Sequence, residues 1–205
     1  MAIVKDGING PFRGKVGSAV GSTWRGLNVI RSRPKPPTHF SPMQLANQMR
    51  MTVTMEFLKK LVEPIRIGFR DDLIVPTAYN SAISYHKRFA LAGEYPHFTI
   101  NLAGVKISQG QLSLPEDIAM QFDDTLLELT WSTNLGDNAR NDDQLLLVLW
   151  DETNKSARYS LQGYRSAGHF SWEPGIPAAG AHVWAAFIRQ DRSMQSESRY
   201  LGKVL

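Results

Sequence analysis

Six short segments with strand-like patterning follow one another along the last part of this 205-residue chain. They are LLELTWS, DQLLLVLWDE, ARYSLQGY, GHFSWEP, AHVWAAFIRQD and SRYLGKVL. Each is an alternating or wholly apolar run of strand length between clusters of turn residues. Their spacing of about 12 to 18 residues favours a β-sandwich over alternating βα units. We therefore predict a mainly β (α+β) protein with a β-sandwich over residues 98–205, in which FTINLAGVKIS adds a short hairpin or bulged strand.

Residues 38–97 are predicted to be helical. Ser41 suits an N-cap, Pro42 the first helical position, and Gln44 follows the cap by three residues. An apolar stripe at helical spacing follows: Leu45, Met49, Thr52, Val53, Leu58, Leu61, Val62 and Ile65. Pro64 is expected to kink or end this helix, and Gly68 to stop it.

A second helix is predicted from Pro76 to about Leu91, closed by Gly93. Its expected inward residues are Ala78, Tyr79, Ala82, Ile83 and Phe89. The segment thus holds one or two helices.

Residues 1–37 are predicted to form an extended basic arm rich in Gly and Pro. Between Gly14 and Gly26 the chain reads GKVGSAVGSTWRG, with Val, Ser and Trp at alternate positions. Two short strands, roughly 14–22 and 26–33, are expected to pair as a hairpin that bends between Ser22 and Gly26. An isolated two-stranded hairpin is marginally stable in water, so the arm should dock on a sheet edge of its own body or of the next subunit.

Charge divides the chain unevenly. Residues 1–75 contain 12 Lys/Arg against 5 Asp/Glu, whereas residues 76–205 contain 11 against 14. A basic arm on a mildly acidic body suits self-association between copies, and it also suits nucleic acid.

The arm is the predicted subunit interface. Glycines keep its backbone accessible, and Trp24 supplies a large anchor for strand addition to a sheet edge. The predicted interface residues are Val16, Val20, Trp24, Arg25, Val29, Ile30, Arg31 and Arg33. Head-to-tail exchange that does not close would build a polymer. The preferred hypothesis is a non-enzymatic structural subunit of a filament, surface appendage or phage-like particle, with folding of the arm onto its own body left open.

Two other functions remain open. The cations of the arm suit a nucleic-acid-binding or virion-associated role, which is the less favoured alternative. Phe12 and Trp24 are interleaved with these cations, which are Arg13, Lys15, Arg25, Arg31, Arg33 and Lys35. The simpler structural alternative buries Trp24 and the valines on one face and places the arginines on the other as edge protection. Surface aromatics such as Tyr164, Trp172 and Tyr200 suit an adhesive or carbohydrate-binding module.

No catalytic, cofactor or metal site is predicted. GPFRGK departs from a phosphate-binding loop, which needs another glycine five residues before Gly14 and a Ser or Thr after Lys15. The five histidines are His39, His86, His97, His169 and His182, and they lack the spacing of zinc ligands. We expect His86 and His182 to be structural.

Carboxylates likewise form no recognised motif. Asp137, Asp142 and Asp143 fall in a turn that departs from the calcium-loop register, so a solvated turn is favoured. A second group flanks Pro115 or precedes a strand, as loop residues commonly do: Glu116, Asp117, Asp123 and Asp124.

No window approaches the ~18 to 20 apolar residues of a transmembrane helix, so membrane insertion is not expected. The start MAIVKDGINGPFRG has no apolar core of a signal peptide. Cytoplasmic synthesis is expected, and assembly into an extracellular or viral structure stays open. The chain has no cysteine and hence no disulfide.

The last 95 residues or so resemble a fibronectin type III or immunoglobulin-like sandwich. Trp131 lies where such domains bury a strand-B tryptophan, LLLVLWD matches strand C, AHVWAAFIRQ strand F, and QSESRYLGKV the closing strand. The tyrosine usual early in strand F is replaced by His182, Val183 and Trp184.

The whole chain also resembles an uncharacterised bacterial family common among Bacteroidota. The shared features are GKVGSAVGSTWRG followed by VIRSRP, the helix start SPMQLANQMR, and the ending SRYLGKV. This resemblance implies no established activity and supplies no catalytic residues.

Overall fold

The structure is a computed structural model that describes residues 3–4, 10–24, 26–35, 38–70, 77–123, 125–175 and 180–204. Two compact units follow one another along the chain, Met1–Pro42 and Met43–Leu205. Strands predominate over helices, which confirms the predicted mainly β class.

The first unit contains one antiparallel sheet. Its strands are β1 (Ile3–Val4), β2 (Phe12–Val16), β3 (Ala19–Trp24) and β4 (Leu27–Ser32), in the order β1-β2-β3-β4. The predicted single strand over 14–22 is wrong, because a two-residue turn at Gly17 and Ser18 separates β2 from β3. Gly17 has a φ of +54°, which glycine adopts without a Cβ penalty. The predicted hairpin is therefore β3–β4, whose bend falls between Trp24 and Leu27 as expected.

A two-residue turn explains why the sequence pattern is misleading here. Val16, Ser18 and Val20 alternate in the sequence straight through the turn, but Val16 pairs with Ala19 and Lys15 with Val20, so the turn places Val16 and Val20 on opposite faces.

The rest of the chain contains helices α1 (Pro42–Leu58), α2 (Val62–Gly68) and α3 (Ala78–Phe89), and strands β5 (Leu91–Ala92), β6 (Thr99–Ile100), β7 (Ala119–Asp123), β8 (Leu126–Thr130), β9 (Gln144–Asp151), β10 (Ser156–Ser160), β11 (His169–Trp172), β12 (His182–Ile188) and β13 (Arg199–Lys203). Short 3-10 turns lie at Leu102–Gly104 and Arg165–Ala167. The six predicted strands are β8 to β13. FTINLAGVKIS contributes only β6, which pairs with β5 and runs into the first 3-10 turn.

Two antiparallel sheets form a sandwich, in the orders β10-β9-β12-β13 and β11-β8-β7. Leu145, Leu147 and Leu149 of β9 point from the larger sheet into the core between the sheets, where Leu127 and Leu129 of β8 meet them. The intervening residues of β9 and β12 point the other way.

The helices cover that second face of β9 and β12. Leu146, Val148 and Trp150 pack there with Leu58 of α1 and Ile65 of α2. Both central strands are buried on both faces, which is why their sequences read LLLVLW and HVWAAFI without alternation.

The first predicted helix ends earlier than expected. It stops at Leu58, and a separate helix α2 starts at Val62. Pro64 falls in the first turn of α2, where a missing N–H removes no intrahelical hydrogen bond. Gly68 ends α2 as predicted, and a Cβ there would lie 2.1 Å from the carbonyl oxygen of Ile107.

The apolar stripe of the first helix is buried only in its second half. Leu58, Leu61 and Ile65 are fully buried, whereas Leu45 is 36% exposed. The first turns of α1 therefore leave their part of the apolar stripe exposed.

The second predicted helix is α3, which begins at Ala78 after Thr77. The Thr77 hydroxyl accepts a hydrogen bond from the N–H of Asn80 at 3.3 Å, so Thr77 is the N-cap. The predicted start at Pro76 lies outside the described residues. Phe89 is 62% exposed, so its predicted inward position is wrong, and the buried His86 lies on that face instead.

Candidate functional site: the N-terminal hairpin

Strand β4 is exposed along its whole length. All six of its side chains are exposed, including Leu27 at 65%, Val29 at 38% and Ile30 at 65%. It is the last strand in the sheet order, so its outer edge has no strand partner among the described residues. Such an edge presents unpaired N–H and C=O groups to any strand that approaches it.

The hairpin register fixes which side chains share a face. Val20 pairs with Arg31, Ser22 with Val29, and Trp24 with Leu27, so these six point the same way. The N–H of Arg33 donates to the carbonyl of Ser18 at 2.7 Å, which continues the ladder. Arg33 then follows Arg31 on the same face.

This register contradicts the alternative that separates the arginines from a buried tryptophan. Trp24 is 60% exposed, and Arg31 and Arg33 lie on its own face. The face therefore combines an aromatic anchor with two cations.

Side-chain contacts on the other face hold the hairpin against β2. A Cβ at Gly21 would lie 2.1 Å from the carbonyl oxygen of Phe12 and 2.7 Å from its ring, so Phe12 occupies that space. The Arg13 guanidinium donates to the Thr23 hydroxyl at 3.1 Å, and that hydroxyl donates to the Asn28 side chain at 3.2 Å. These bonds tie β2, β3 and β4 together in one register.

Six of the eight predicted interface residues lie in the strands of this sheet, Arg33 directly follows β4, and Arg25 lies outside the described residues. Val20, Trp24, Val29, Arg31 and Arg33 share the first face, and the register places Val16 and Ile30 on the second. Val16 is 52% exposed and Val20 half-buried. The sequence prediction thus selects residues that the fold brings together, although on two faces.

An acidic sheet edge lies in the second unit. Strands β7, β8 and β11 contain no Lys or Arg, and both β7 and β11 are edge strands. Carboxylates lie along or beside them: Glu116, Asp117, Asp123, Glu128 and Glu173. The other sheet has cations on both of its edges, with Arg158 in β10 and Arg199 and Lys203 in β13.

Hydrogen bonding keeps one of these carboxylates ionised. The N–H of Ser132 donates to Asp117 Oδ1 at 3.0 Å and lowers the pKa of Asp117, and Arg199 adds a smaller effect in the same direction.

Strand β7 was missed by the sequence analysis, but a charge signal marks it. Residues 107–139 contain six Asp or Glu and no Lys or Arg, whereas residues 10–35 contain six Lys or Arg and no Asp or Glu. The alternation AMQFD, with Met120 and Phe122 half-buried, marks the strand itself. Asp124, one of the carboxylates predicted to be loop residues, lies outside the described residues.

Histidines predicted to be structural are buried and bonded. His86 Nδ1 lies 2.7 Å from the carbonyl oxygen of Ala82, and its Nε2 accepts from the N–H of Lys106 at 3.3 Å. Burial lowers the pKa of His86, so the ring is neutral with its proton on Nδ1. His182 Nδ1 lies 2.6 Å from the Tyr200 hydroxyl. No cluster of three metal-ligating side chains exists within the described part of the chain.

The acidic turn differs from its prediction at one residue. Asp137 and Asp142 are exposed, but Asp143 is fully buried and paired with Arg165 at 3.1 Å. The prediction of a solvated turn is therefore wrong for Asp143. A buried carboxylate needs a cation, and Arg165 of the second 3-10 turn supplies it.

The three proposed glycan-binding aromatics do not form one platform. Tyr164 is 47% exposed, whereas Trp172 packs against the core between the sheets and Tyr200 against the core under the helices.

None of the described helices is long and apolar enough to cross a membrane.

Comparison with known proteins identifies a family for this chain. The model of a family described as "Family of unknown function (DUF6266)" matches residues 11–202. No curated protein and no solved structure matches the chain.

Proposed function

The chain belongs to this family of unknown function, and we propose that it is a non-enzymatic structural protein, a self-assembling subunit of a filament, surface appendage or phage-like particle. In this proposal copies join by strand exchange, with β4 of one copy adding to the β7 edge of the next. The observation that carries the proposal is β4 itself, an edge strand with all six side chains exposed.

Burial of apolar surface favours occupation of this edge. Leu27 and Ile30 each leave 65% of their surface exposed, and Trp24 leaves 60%. Covering side chains of this size contributes about 1.5 to 3 kcal/mol each when burial is complete. Adding β4 as a fourth strand beside β7 also forms backbone hydrogen bonds, which stabilise the contact further.

Charge selects the acceptor edge. The arm has cations and no carboxylates between residues 10 and 35, and β7 lies in the sheet that has carboxylates and no cations. Strands β10 and β13 are weaker candidates, because their Arg and Lys residues repel the arm. Complementary charge steers the encounter and penalises the wrong edges.

Two different surfaces make the contact heterologous. The donor is β4 and the acceptor is β7, so a joined pair of copies still offers one free donor strand and one free acceptor edge. Such contacts produce rings when the rotation closes and open filaments when it does not.

We also propose that the sandwich is fibronectin type III or immunoglobulin-like. The strands matched above to B, C, F and the closing strand are β8, β9, β12 and β13. β9 pairs with β12 and β12 with β13, in the sheet opposite β8, which is the arrangement that such domains use. Bacteroidota as the source of the family remains an expectation of the sequence resemblance.

The test measures the mass of the full-length protein by light scattering across a concentration series, with electron microscopy of the same samples. We expect mass to grow with concentration. A stable monomer at every concentration would overturn the proposal.

Two variants make the test specific to β4. The N–H of Arg33 points toward β3, so alternation places the N–H of Ile30 on the outer edge. Ile30→Pro therefore removes an outward donor without removing a β3 bond, and it should block assembly. Ile30→Thr is the matched control, since it keeps the donor and a strand-forming residue and should assemble, if more weakly.

A charge swap tests the acceptor. Arg31→Glu with Arg33→Glu should prevent assembly, and adding Asp123→Lys with Glu128→Lys should restore it. Asp137→Lys with Asp142→Lys, both exposed but outside the small sheet, should not restore it. Assembly that ignores these changes would place the contact elsewhere.

Nucleic-acid binding is the second candidate function. The placement of Trp24 beside Arg31 and Arg33 on one exposed face favours it, because cations pair with phosphates while an aromatic ring stacks on a base. Strongly salt-dependent binding to DNA or RNA by a monomeric protein, lost in the Arg31→Glu with Arg33→Glu variant, would favour this function over assembly.

A further inference from the structure

A cavity of about 500 Å³ opens on the helical side of the second unit. It lies between the end of α1, the 3-10 turn after β6, and the four-residue turn that joins β9 to β10. Its size falls within the ~300 to 1,000 Å³ typical of small-molecule sites. None of the residues that line it belongs to β4 or β7, so a ligand here does not depend on the proposed assembly.

Apolar side chains form the floor of this cavity. They are Val53, Phe57, Ile100, Leu102 and Trp150. The Phe57 and Trp150 rings meet edge to face, with centroids 4.9 Å apart, and both residues are buried. A rigid aromatic wall of this kind suits a flat apolar body.

Charged side chains form the rim: Glu56, Lys59, Lys60, Glu152 and Lys155. Glu152 lies 3.5 Å from Nε2 of the buried His182. Within the described part of the chain, the three lysines have no carboxylate oxygen within 4.0 Å. The rim therefore has a net positive charge, with three lysines against two glutamates.

Lys155 is held at the rim in an unusual conformation. Its φ is +48°, a left-handed region that normally takes glycine or asparagine. Asp151 stabilises the turn by accepting from the N–H groups of Thr153 and Asn154 at 2.9 and 3.1 Å, and from the Asn154 side chain at 2.6 Å. Strain of this kind persists only where the surroundings fix it, and it is common at ligand sites.

We propose that this cavity binds a small organic anion. The aromatic or branched apolar body of the ligand lies against Phe57 and Trp150, and its carboxylate, phosphate or sulfonate group lies between Lys59, Lys60 and Lys155. The arm of a second copy is a poor occupant, because its cations meet the three lysines.

Two fluorescent probes that share one ring system test the proposal. 1-Anilinonaphthalene-8-sulfonate carries an anionic group, and N-phenyl-1-naphthylamine is the same molecule without it. We expect saturable binding of the sulfonate, weakened at least about tenfold by Lys59→Glu with Lys60→Glu, which is about 1.4 kcal/mol. Binding of the uncharged probe should change little. Lys87→Glu with Arg88→Glu on α3 is the matched control. It changes another adjacent pair of cations, neither of which lines the cavity, and this variant should bind the sulfonate as the natural sequence does.

Amide chemical shifts locate the probe. Shifts should concentrate in residues 152–155 and at the Trp150 indole, with a thermal melt checking that each variant is folded. Three results would each overturn the proposal. One is equal sulfonate affinity in the folded Lys59→Glu/Lys60→Glu protein, and another is a set of shifts confined to the β3–β4 hairpin. The third is no saturation up to about 1 mM, which corresponds to a binding free energy on the order of −4 kcal/mol.

Discussion

Arg165 Nε lies 3.1 Å from Asp143 Oδ2, with side chains that are 1% and 0% exposed. The Arg165 guanidinium also donates to the carbonyl of Ser113 at 2.7 Å and lies 4.2 Å from the centroid of the Phe187 ring. Its backbone carbonyl accepts from the Trp131 indole at 2.9 Å. One arginine thus connects three loops to the core between the two sheets, and its charged group is buried away from solvent.

Asp143→Ala should destabilise the protein by about 3 to 5 kcal/mol, because it leaves the buried guanidinium of Arg165 without its counter-charge. Urea denaturation measures the loss. The matched control is Glu63→Ala, whose partner Arg66 lies at 3.2 Å on the surface with 65% of its side chain exposed. Its effect should stay below about 1 kcal/mol. Similar small losses in both variants would contradict a structural role for the buried pair.

His86 should make stability depend on pH. Burial lowers its pKa below the ordinary 6.5, so the unfolded chain takes up a proton before the folded one does. Its contribution is fully present above the unfolded pKa and is lost as pH falls toward the folded pKa. We expect the free energy of unfolding to decrease as pH falls below the ordinary histidine pKa of 6.5, measured by urea denaturation.

His86→Gln should flatten that pH dependence, since the amide can bond Ala82 and Lys106 without titrating. His39→Gln removes an exposed histidine and should leave the profile unchanged. A profile that keeps its slope in His86→Gln would assign the effect to another group.

Several elements of the fold could be predicted from the sequence because one physical cause dominates each. The apolar runs of β9 and β12 mark strands whatever covers them, and the turn clusters fix their ends. Ser41 and Pro42 locate the start of α1 without any tertiary contact. Local patterns suffice in these places.

Tertiary packing decides the residues that the sequence analysis missed. Phe89 and His86 lie on neighbouring turns of α3, and hydrophobicity alone assigns Phe89 to the core. His86 is buried instead because Ala82 and Lys106 satisfy both of its ring nitrogens. Strand β7, the proposed acceptor edge, was missed although AMQFD alternates as a half-buried strand does, because five residues give only a short pattern.

The turn that presents Glu152 and Lys155 to the cavity makes a prediction of its own. The side chain and N–H of Asn154 lower the pKa of Asp151, so Asn154→Ala should raise that pKa toward its ordinary value of 3.8. Because the pKa of Asp151 is lower in the folded state, its contribution to stability is present above the unfolded pKa and is lost as pH falls through the folded pKa. In the variant this contribution should be smaller, and its loss should be complete at a higher pH. Side-chain carboxyl shifts measured by NMR against pH give the value directly. Thr153→Ala keeps the backbone N–H that Asp151 uses, so it should leave the pKa in place.

Gly21→Ala should disrupt the N-terminal sheet. The added Cβ would lie 2.1 Å from the Phe12 carbonyl oxygen, closer than such atoms approach, so β2 must move away from β3. Amide hydrogen exchange in β3 should become faster while the strands of the sandwich keep their protection, and assembly through β4 should fall.

Two controls distinguish this contact from a general glycine effect. Phe12→Ala added to Gly21→Ala should not restore protection, because it removes the ring but leaves the backbone oxygen that causes the closest approach. Gly17→Asn should be tolerated, since asparagine adopts a positive φ and nothing lies within 4 Å of a Cβ at that position. If Gly17→Asn instead disrupted the sheet as strongly as Gly21→Ala, the turn and not the Phe12 contact would set the register of the hairpin.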